Sequence, residues 1–379
     1  MKSVELKRLK PSSPGTYRHL KILRYGRPGA TPKAYLQASL HADELPGMMA
    51  AVHLTQLLDA AEAAGQILGE IVLVPVANPI GLAQVIDDTH LGRYDLASGE
   101  NFNRSFPDLA ALAADRLAGT LGPDADRNVR TIRDTLVALL DEQQPKTELA
   151  SLRLILMRNA IDADYVLDLH CDNDALLHLY LGEARWPDGA DLSADLGSVA
   201  TLLAAESGGT PFDETFGNLW AELRRRLGGD APIPDACLAG TVEFRGQADV
   251  SDELGAQDAA ALLRFLQRRG LVAGDPGPLP AALCDGTPLS AVDTLRAPAG
   301  GMIVYKAALG ERVSAGQVVA EIIDPLAEDP ASGRIPVRTI TDGLFFARKI
   351  KRLARPGLAI GKVAGTRPLP TRTGALLDP

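Results

Sequence analysis

Ala34-Tyr35-Leu36-Gln37-Ala38-Ser39-Leu40 runs directly into His41-Ala42-Asp43-Glu44-Leu45-Pro46-Gly47, and this junction decides how the chain is read. The first stretch has the apolar content of a buried strand. The Pro-Gly pair opens a helix up to Gly65 in which Met48, Val52, Leu54, Leu57 and Leu58 fall at helical spacing. Ile71-Val72-Leu73-Val74-Pro75-Val76 then reads as a second buried strand. Strand, helix and strand at this spacing predict an open, largely parallel sheet flanked by helices. The chemistry lies where strand gives way to helix. His41 and Glu44 are three apart, so one turn can aim an imidazole and a carboxylate at the same point. A further strand-like run, Tyr165-Val166-Leu167-Asp168-Leu169-His170, ends in a second imidazole. Two histidines and one carboxylate make a three-ligand zinc set that leaves a position for water, the pattern of a catalytic rather than a structural ion.

Outward from this junction, residues 108–160 read as helical, and Val166 to Leu169 and Leu176 to Leu181 as strands. Leu196 to Ala205 and Leu219 to Leu227 read as helices, Gly240 to Arg245 as a strand, and Asp258 to Arg269 as the last helix of the unit. The run Gly274-Asp275-Pro276-Gly277-Pro278-Leu279-Pro280 continues neither pattern. A boundary there predicts a catalytic unit over 1–275 and a second unit over 285–379. The second unit has short β-rich segments, Gly301 to Tyr305, Val318 to Ile323 and Gly343 to Ala347. Two stretches within it look like copies, one from Ala297 to Gln317 and one from Thr341 to Lys362. Such a duplication predicts a small pseudo-symmetric β barrel-sandwich.

The balance of 46% hydrophobic and 23% charged residues over 379 residues is that of a globular protein with a large core. A net charge of −9 with no long basic tract argues against nucleic-acid binding. Arg224-Arg225-Arg226 and Lys349-Ile350-Lys351-Arg352 are short enough to be solvated faces. Cys171, Cys237 and Cys284 have no metal-site or paired spacing, which suits a reducing compartment. No signal-like apolar core stands near Met1 and no uncharged apolar run reaches membrane-spanning length. A cytoplasmic protein that engages no membrane is expected.

Other residues could complete a site. Asn101-Phe102-Asn103-Arg104-Ser105-Phe106-Pro107 is a polar loop in which Arg104 offers a planar fork of donors matched to a carboxylate, with Asn103 beside it. Arg93 follows the turn signal Asn78-Pro79-Ile80-Gly81. Glu243 lies inside an apolar strand, where a carboxylate is costly unless paired, exposed or used. Arg245, two residues on and on the same strand face, is the structural alternative as its partner. Asp43 competes with Glu44 as the acidic ligand. Asp168 could orient His170 or make a purely structural bond. Among the other histidines, His53 and His90 could line a pocket. Cys171, beside His170, is expected to be a buried or rim thiol.

Taken in order, His-x-x-Glu, Asn-Pro-x-Gly, Arg-Tyr, Asn-Arg-x-Phe-Pro, Asp-Leu-His and Val-Glu-x-x-Gly resemble the succinylglutamate desuccinylase/aspartoacylase family of the zinc carboxypeptidase superfamily. The resemblance covers roughly residues 30–250. It implies an α/β fold with a mixed, largely parallel sheet of the zinc carboxypeptidase kind. It implies one Zn2+ per chain held by His41, Glu44 and His170, Glu243 as general base and later proton donor, Arg93 polarising the scissile carbonyl, and Asn103 with Arg104 clamping a substrate carboxylate. The implied reaction is hydrolysis of the amide of a small N-acylated amino acid or amine. A metallocarboxypeptidase acting on short peptides would use the same chemistry. A binding protein on a degenerate peptidase fold would have lost a ligand or the base, and none is missing. The family often has Gly where Ala42 stands, a change that is harmless only if the backbone there has an ordinary φ. The second unit resembles the lipoyl/biotinyl-like fold, but Ile323 to Pro330, where the attachment lysine would sit, contains none. It is expected to be a lid, a pocket wall or an oligomer contact, and homo-oligomerisation is left open.

Overall fold

Lys33–Ala38 lies between Glu70–Val74 and Tyr165–Asp172, parallel to both, near the middle of a nine-stranded sheet. Every residue of Lys33–Ala38 and Glu70–Val74 is buried, as strands covered on both faces must be. This computed structural model describes residues 1–329 and 331–377. In sheet order the strands are Ser3–Arg8, His19–Tyr25, Glu70–Val74, Lys33–Ala38, Tyr165–Asp172, Leu238–Gly246, His178–Gly182, Ala200–Ala204 and Gly286–Pro288. Pairing is antiparallel among the first three strands and where Leu238–Gly246 meets His178–Gly182, and parallel elsewhere. The sheet is therefore mixed and largely parallel, as the sequence predicts.

Side chains alternate between two cores, as the strand period of two requires. Tyr35, Val72, Val74 and Val166 enter one, with the helices Leu109–Leu117, Ala125–Asp141, Glu148–Ala160 and Leu219–Leu227. Ala34, Leu36, Leu73 and Leu169 enter the other, with Pro46–Ala63 and Asp252–Arg268. Pro46 opens its helix at a position where its missing N–H costs nothing. Gly47 lets that helix close onto the strand carrying His170, because a Cβ there would stand 2.6 Å from the Leu169 carbonyl oxygen. Gly47→Ala is expected to lower stability by ~1–3 kcal/mol, the usual cost of overpacking, read as an earlier midpoint in a denaturant melt.

Two sequence expectations change. Residues 108–160 form three helices, broken where Asp108, Asp124 and Thr147 cap the next N-terminus by accepting from Ala111, Arg127 and Ala150 N–H. Leu196 to Ala205 is not a helix. Gly197 at φ 69° ends the helix Ala190–Leu196, and Ala200–Ala204 is a strand between His178–Gly182 and Gly286–Pro288. A short run buried on both sides carries no periodicity to separate strand from helix.

The C-terminal part forms two antiparallel sheets. One has Val292–Arg296, Ala359–Ala364, Gly343–Arg348 and Arg312–Val313, and the other Arg334–Arg338, Val318–Ile323, Gly301–Tyr305 and Leu353–Ala354. The duplication is visible in them: each copy runs strand, two-residue strand, strand, and each two-residue strand pairs with the first strand of the other copy. Ile303, Val319, Ile322, Phe345, Ile360 and Val363 fill the space between. Among the described residues the sheets do not close into a barrel. The turn between Ile323 and Arg334 includes Pro330, which lies outside the described residues. Beyond His170, Asp174 and Ala175 pair with Arg348 and Ala347, so the His170 strand is stitched to the C-terminal sheet. Among the described residues no helix is long and apolar enough to cross a membrane.

Candidate metal centre

At the end of the central strand Ser39 takes φ 58°, a left-handed conformation uncommon outside glycine. Two bonds hold it: its N–H donates to the Leu169 carbonyl at 3.1 Å and its hydroxyl to the Glu44 carbonyl at 2.6 Å. Ala42 stays outside the left-handed region, so the departure from glycine costs nothing. The turn places Glu44 between two rings, with Oε1 3.0 Å from His41 Nδ1 and Oε2 2.6 Å from His170 Nδ1. All three side chains are buried, and one donor atom from each lies within 4.8 Å of the others.

The far nitrogen of each ring is also held. His41 Nε2 lies 2.8 Å from Asn101 Oδ1, and His170 Nε2 lies 2.9 Å from Asp168 Oδ2. Asp168 is fixed in turn by Gln37 Nε2 at 3.0 Å, and Gln37 by the Tyr35 hydroxyl at 2.7 Å. Asn101 Oδ1 takes the proton at His41 Nε2 and leaves that ring's Nδ1 lone pair for an ion, and the Asp168 carboxylate stands beside His170 Nε2, a setting expected around ligating imidazoles. Two imidazoles, a carboxylate and an enclosed setting fit a zinc-like divalent cation. Burial works against charge on His170, but Asp168 and Glu44 overcome it and hold its pKa well above the usual histidine range. Burial, with Arg93 nearby, lowers that of His41.

The competing carboxylate turns away. Asp43 Oδ2 accepts from Gln247 Nε2 at 3.1 Å, while Glu44 Oε2 also accepts the Cys171 backbone N–H at 3.2 Å. Cys171 is buried. His53 pairs with Asp252 and His90 with the Gly81 carbonyl, and neither lines the cavity.

That cavity, of about 610 Å³, gathers the remaining sequence-selected residues around the three donors. Arg93 reaches in, its guanidinium 3.3 Å from His41 Nδ1 and 3.5 Å from Glu44 Oε1. Glu243 stands beside His170 in strand register. Arg245 does not pair with it: that residue takes φ 59° at a register shift and bonds Asp258 instead. Glu243 Oε2 is buried without a hydrogen-bond partner. Burial first, then the Glu44 carboxylate, push the Glu243 carboxyl up to about 8. Asn103 Oδ1 accepts the Phe212 N–H at 2.8 Å, leaving Nδ2 toward His170 at 3.4 Å. Arg104 donates to the Asn103 carbonyl at 2.8 Å and lies near Asp213 and Glu214.

The family model described as the succinylglutamate desuccinylase/aspartoacylase catalytic domain matches residues 30–223, just over half of the chain. The chain belongs to the succinylglutamate desuccinylase/aspartoacylase family. A family protein of known structure from Shewanella amazonensis SB2B is 26% identical, with a TM-score of 0.82 over 96% of this chain and 98% of that one. A second, from Shewanella frigidimarina, is 24% identical at a TM-score of 0.81, covering 96% and 97%. The product-bound ectoine utilization protein EutE (DoeB) from Ruegeria pomeroyi shares the fold at 16% identity and a TM-score of 0.68, covering 96% and 95%. No protein with a curated description matches the chain.

The family motifs do not mark every residue of the centre. Asn101, in the polar loop that carries Asn103 and Arg104, fixes the His41 ring and accepts the Asn103 N–H at 2.9 Å. Its carbonyl also accepts from Arg153 at 3.0 Å. Asn101→Ala is expected to weaken metal binding by ~10–100-fold, as loss of a ring-orienting partner does, measured by chelator competition. Lys362 is the other. It crosses from the C-terminal sheet into the cavity, 2.7 Å from Asp172 and 3.2 Å from the Tyr180 hydroxyl.

Proposed function

We propose that this chain is a zinc-dependent hydrolase that cleaves the amide of a small N-acylated amino acid or amine. The observation that supports it is the unpartnered Glu243 carboxylate opening on the cavity where His41 Nδ1, Glu44 and His170 Nδ1 converge. A zinc ion held by those donors would acidify a bound water toward neutrality and polarise a carbonyl. Glu243 then takes a proton from the attacking water and returns it to the departing nitrogen, so that the C–N bond breaks and a carboxylate and an amine leave. Arg93 faces the negative charge that grows on the carbonyl oxygen. Arg104, with the Asn103 amide, binds the carboxylate of the amino acid and orients the amide toward the cavity that His41, Glu44 and His170 line. Strands of the C-terminal part wall the cavity, which favours a small substrate over a peptide needing an open groove.

Metal analysis of the purified protein, with a hydrolysis screen of N-acyl amino acids beside dipeptides, tests this reading. Stoichiometric zinc and turnover of acyl amino acids are expected. Turnover of dipeptides alone would replace a deacylase with a carboxypeptidase. Protein that takes up no divalent ion would refute both.

A further inference from the structure

Residues 375–377 return to the cavity beside the Arg104 loop. Leu376 and Leu377 are half-buried, line the cavity and pack against the cluster that contains Leu202 and Leu289. Their backbone N–H groups both donate to the Ser207 carbonyl, at 2.8 and 3.1 Å. The Ser207 N–H donates in turn to Glu214 Oε1 at 2.8 Å. Next along the chain, Gly208, Gly209 and Thr210 take φ of 107°, 77° and 48°, and at a β-branched threonine that backbone is strained. This run lies against the arginine loop. Ser105, itself at φ 61°, donates its N–H to the Gly209 carbonyl at 2.8 Å, and Phe106 donates to the Thr210 carbonyl at 3.2 Å. A Cβ on Gly209 would stand 2.6 Å from Arg104 Cδ, and one on Gly208 would stand 2.8 Å from Ala375 Cβ. The same run leads into Phe212, whose N–H fixes the Asn103 amide. Contact is therefore unbroken from residues 375–377, through Ser207 to Thr210, to both members of the carboxylate clamp.

We propose that residues 375–377 form a positioning strap that seats Arg104 and so sets the cavity's preference for a substrate with a free carboxylate. Strained backbone persists only where its surroundings over-determine it, and the strap supplies two hydrogen bonds to the residue that opens the strained run. A guanidinium fork matches a carboxylate only at the right angle, so a small shift of the Arg104 stem weakens carboxylate binding. His41, Glu44, His170 and Glu243 stand on other parts of the chain and keep their places. The strap rests on the deacylase reading, in which Arg104 holds the carboxylate of the amino acid.

The test uses the zinc-loaded full-length protein, with the N-acetyl amino acid it turns over fastest beside the α-carboxamide of the same compound. Leu376→Pro removes the N–H that makes the shorter bond to Ser207, and Leu377→Pro the other. For Leu376→Pro we expect KM for the carboxylate substrate to rise at least ~10-fold, as when a charge-assisted hydrogen bond is lost. Its kcat, its zinc content and its kcat/KM for the carboxamide should stay near those of the wild type. Leu377→Pro should shift KM in the same direction, and Leu376→Ala, which keeps the N–H, should restore the wild-type ratio of carboxylate to carboxamide. A wild-type ratio in both proline variants overturns the strap, and so does an equal loss on both substrates, which would mean that the segment only supports the fold. Arg104→Ala separates the two readings. If it abolishes the carboxylate preference while the proline variants do not, the deacylase reading stands and the strap falls. If it leaves the preference intact, the role of Arg104 falls and the strap with it.

Discussion

Glu243→Gln is expected to keep its full complement of zinc and to lose at least ~10²-fold in turnover, the usual contribution of a positioned general base. The side chain touches none of the three converging donors by hydrogen bond, and one of its oxygens has no partner at all. An amide of the same shape leaves the three donors alone and removes only the group proposed to take the proton. Full activity in this variant would overturn the role assigned to Glu243. The same substitution has a second readout in metal-free protein. Burial and the Glu44 carboxylate raise the folded pKa of Glu243 to about 8, against about 4.3 in an unfolded chain. Between these values the folded state holds a proton that the unfolded state has lost, so Glu243 lowers stability progressively as pH rises through that window. Glu243→Gln should therefore gain Tm over the metal-free wild type on going from pH 5 to pH 8. A difference that is flat with pH would mean the carboxyl titrates normally.

His41→Ala is expected to purify nearly free of metal and inactive. One of the three proposed ligands is lost, so the affinity should fall by more than the ~10–100-fold that follows loss of an orienting partner. His170 and Glu44 would remain 2.6 Å apart as a closed pair, which makes the vacated site a poor two-ligand trap. The comparison that matters is with Asn101→Ala, which keeps the ring but frees it to turn. A graded series, wild type above Asn101→Ala above His41→Ala in chelator competition, is the expected result. Stoichiometric zinc in His41→Ala would count against the ligand set.

The reach of sequence reading here follows the distances over which the residues act. His41 and Glu44 are legible because they share one turn, and Glu243 because a carboxylate between Val242 and Phe244 breaks the pattern of its strand. The sheet's parallel centre is legible because Ala34 to Leu36 and Ile71 to Val74 are apolar and a helix separates them. Leu196 to Ala205 misleads because burial on both faces erases the period that distinguishes strand from helix. Asn101 is concealed in a loop whose more conspicuous members are Asn103 and Arg104. Lys362 and Arg348 are concealed by separation: their partners Asp172 and Asp174 lie 190 and 174 residues earlier. Nothing local to a lysine beside Gly361 distinguishes a cavity wall from a solvated strand face.

The strand Tyr165–Asp172 that carries His170 is followed at once by Asp174 and Ala175, which pair with the C-terminal sheet. Candidate ligand and cavity wall are thereby joined along one stretch of chain. Cutting the chain within Gly274 to Pro280 would leave Asp172 and Asp174 without the counter-charges of Lys362 and Arg348 and loosen the anchorage of the second histidine.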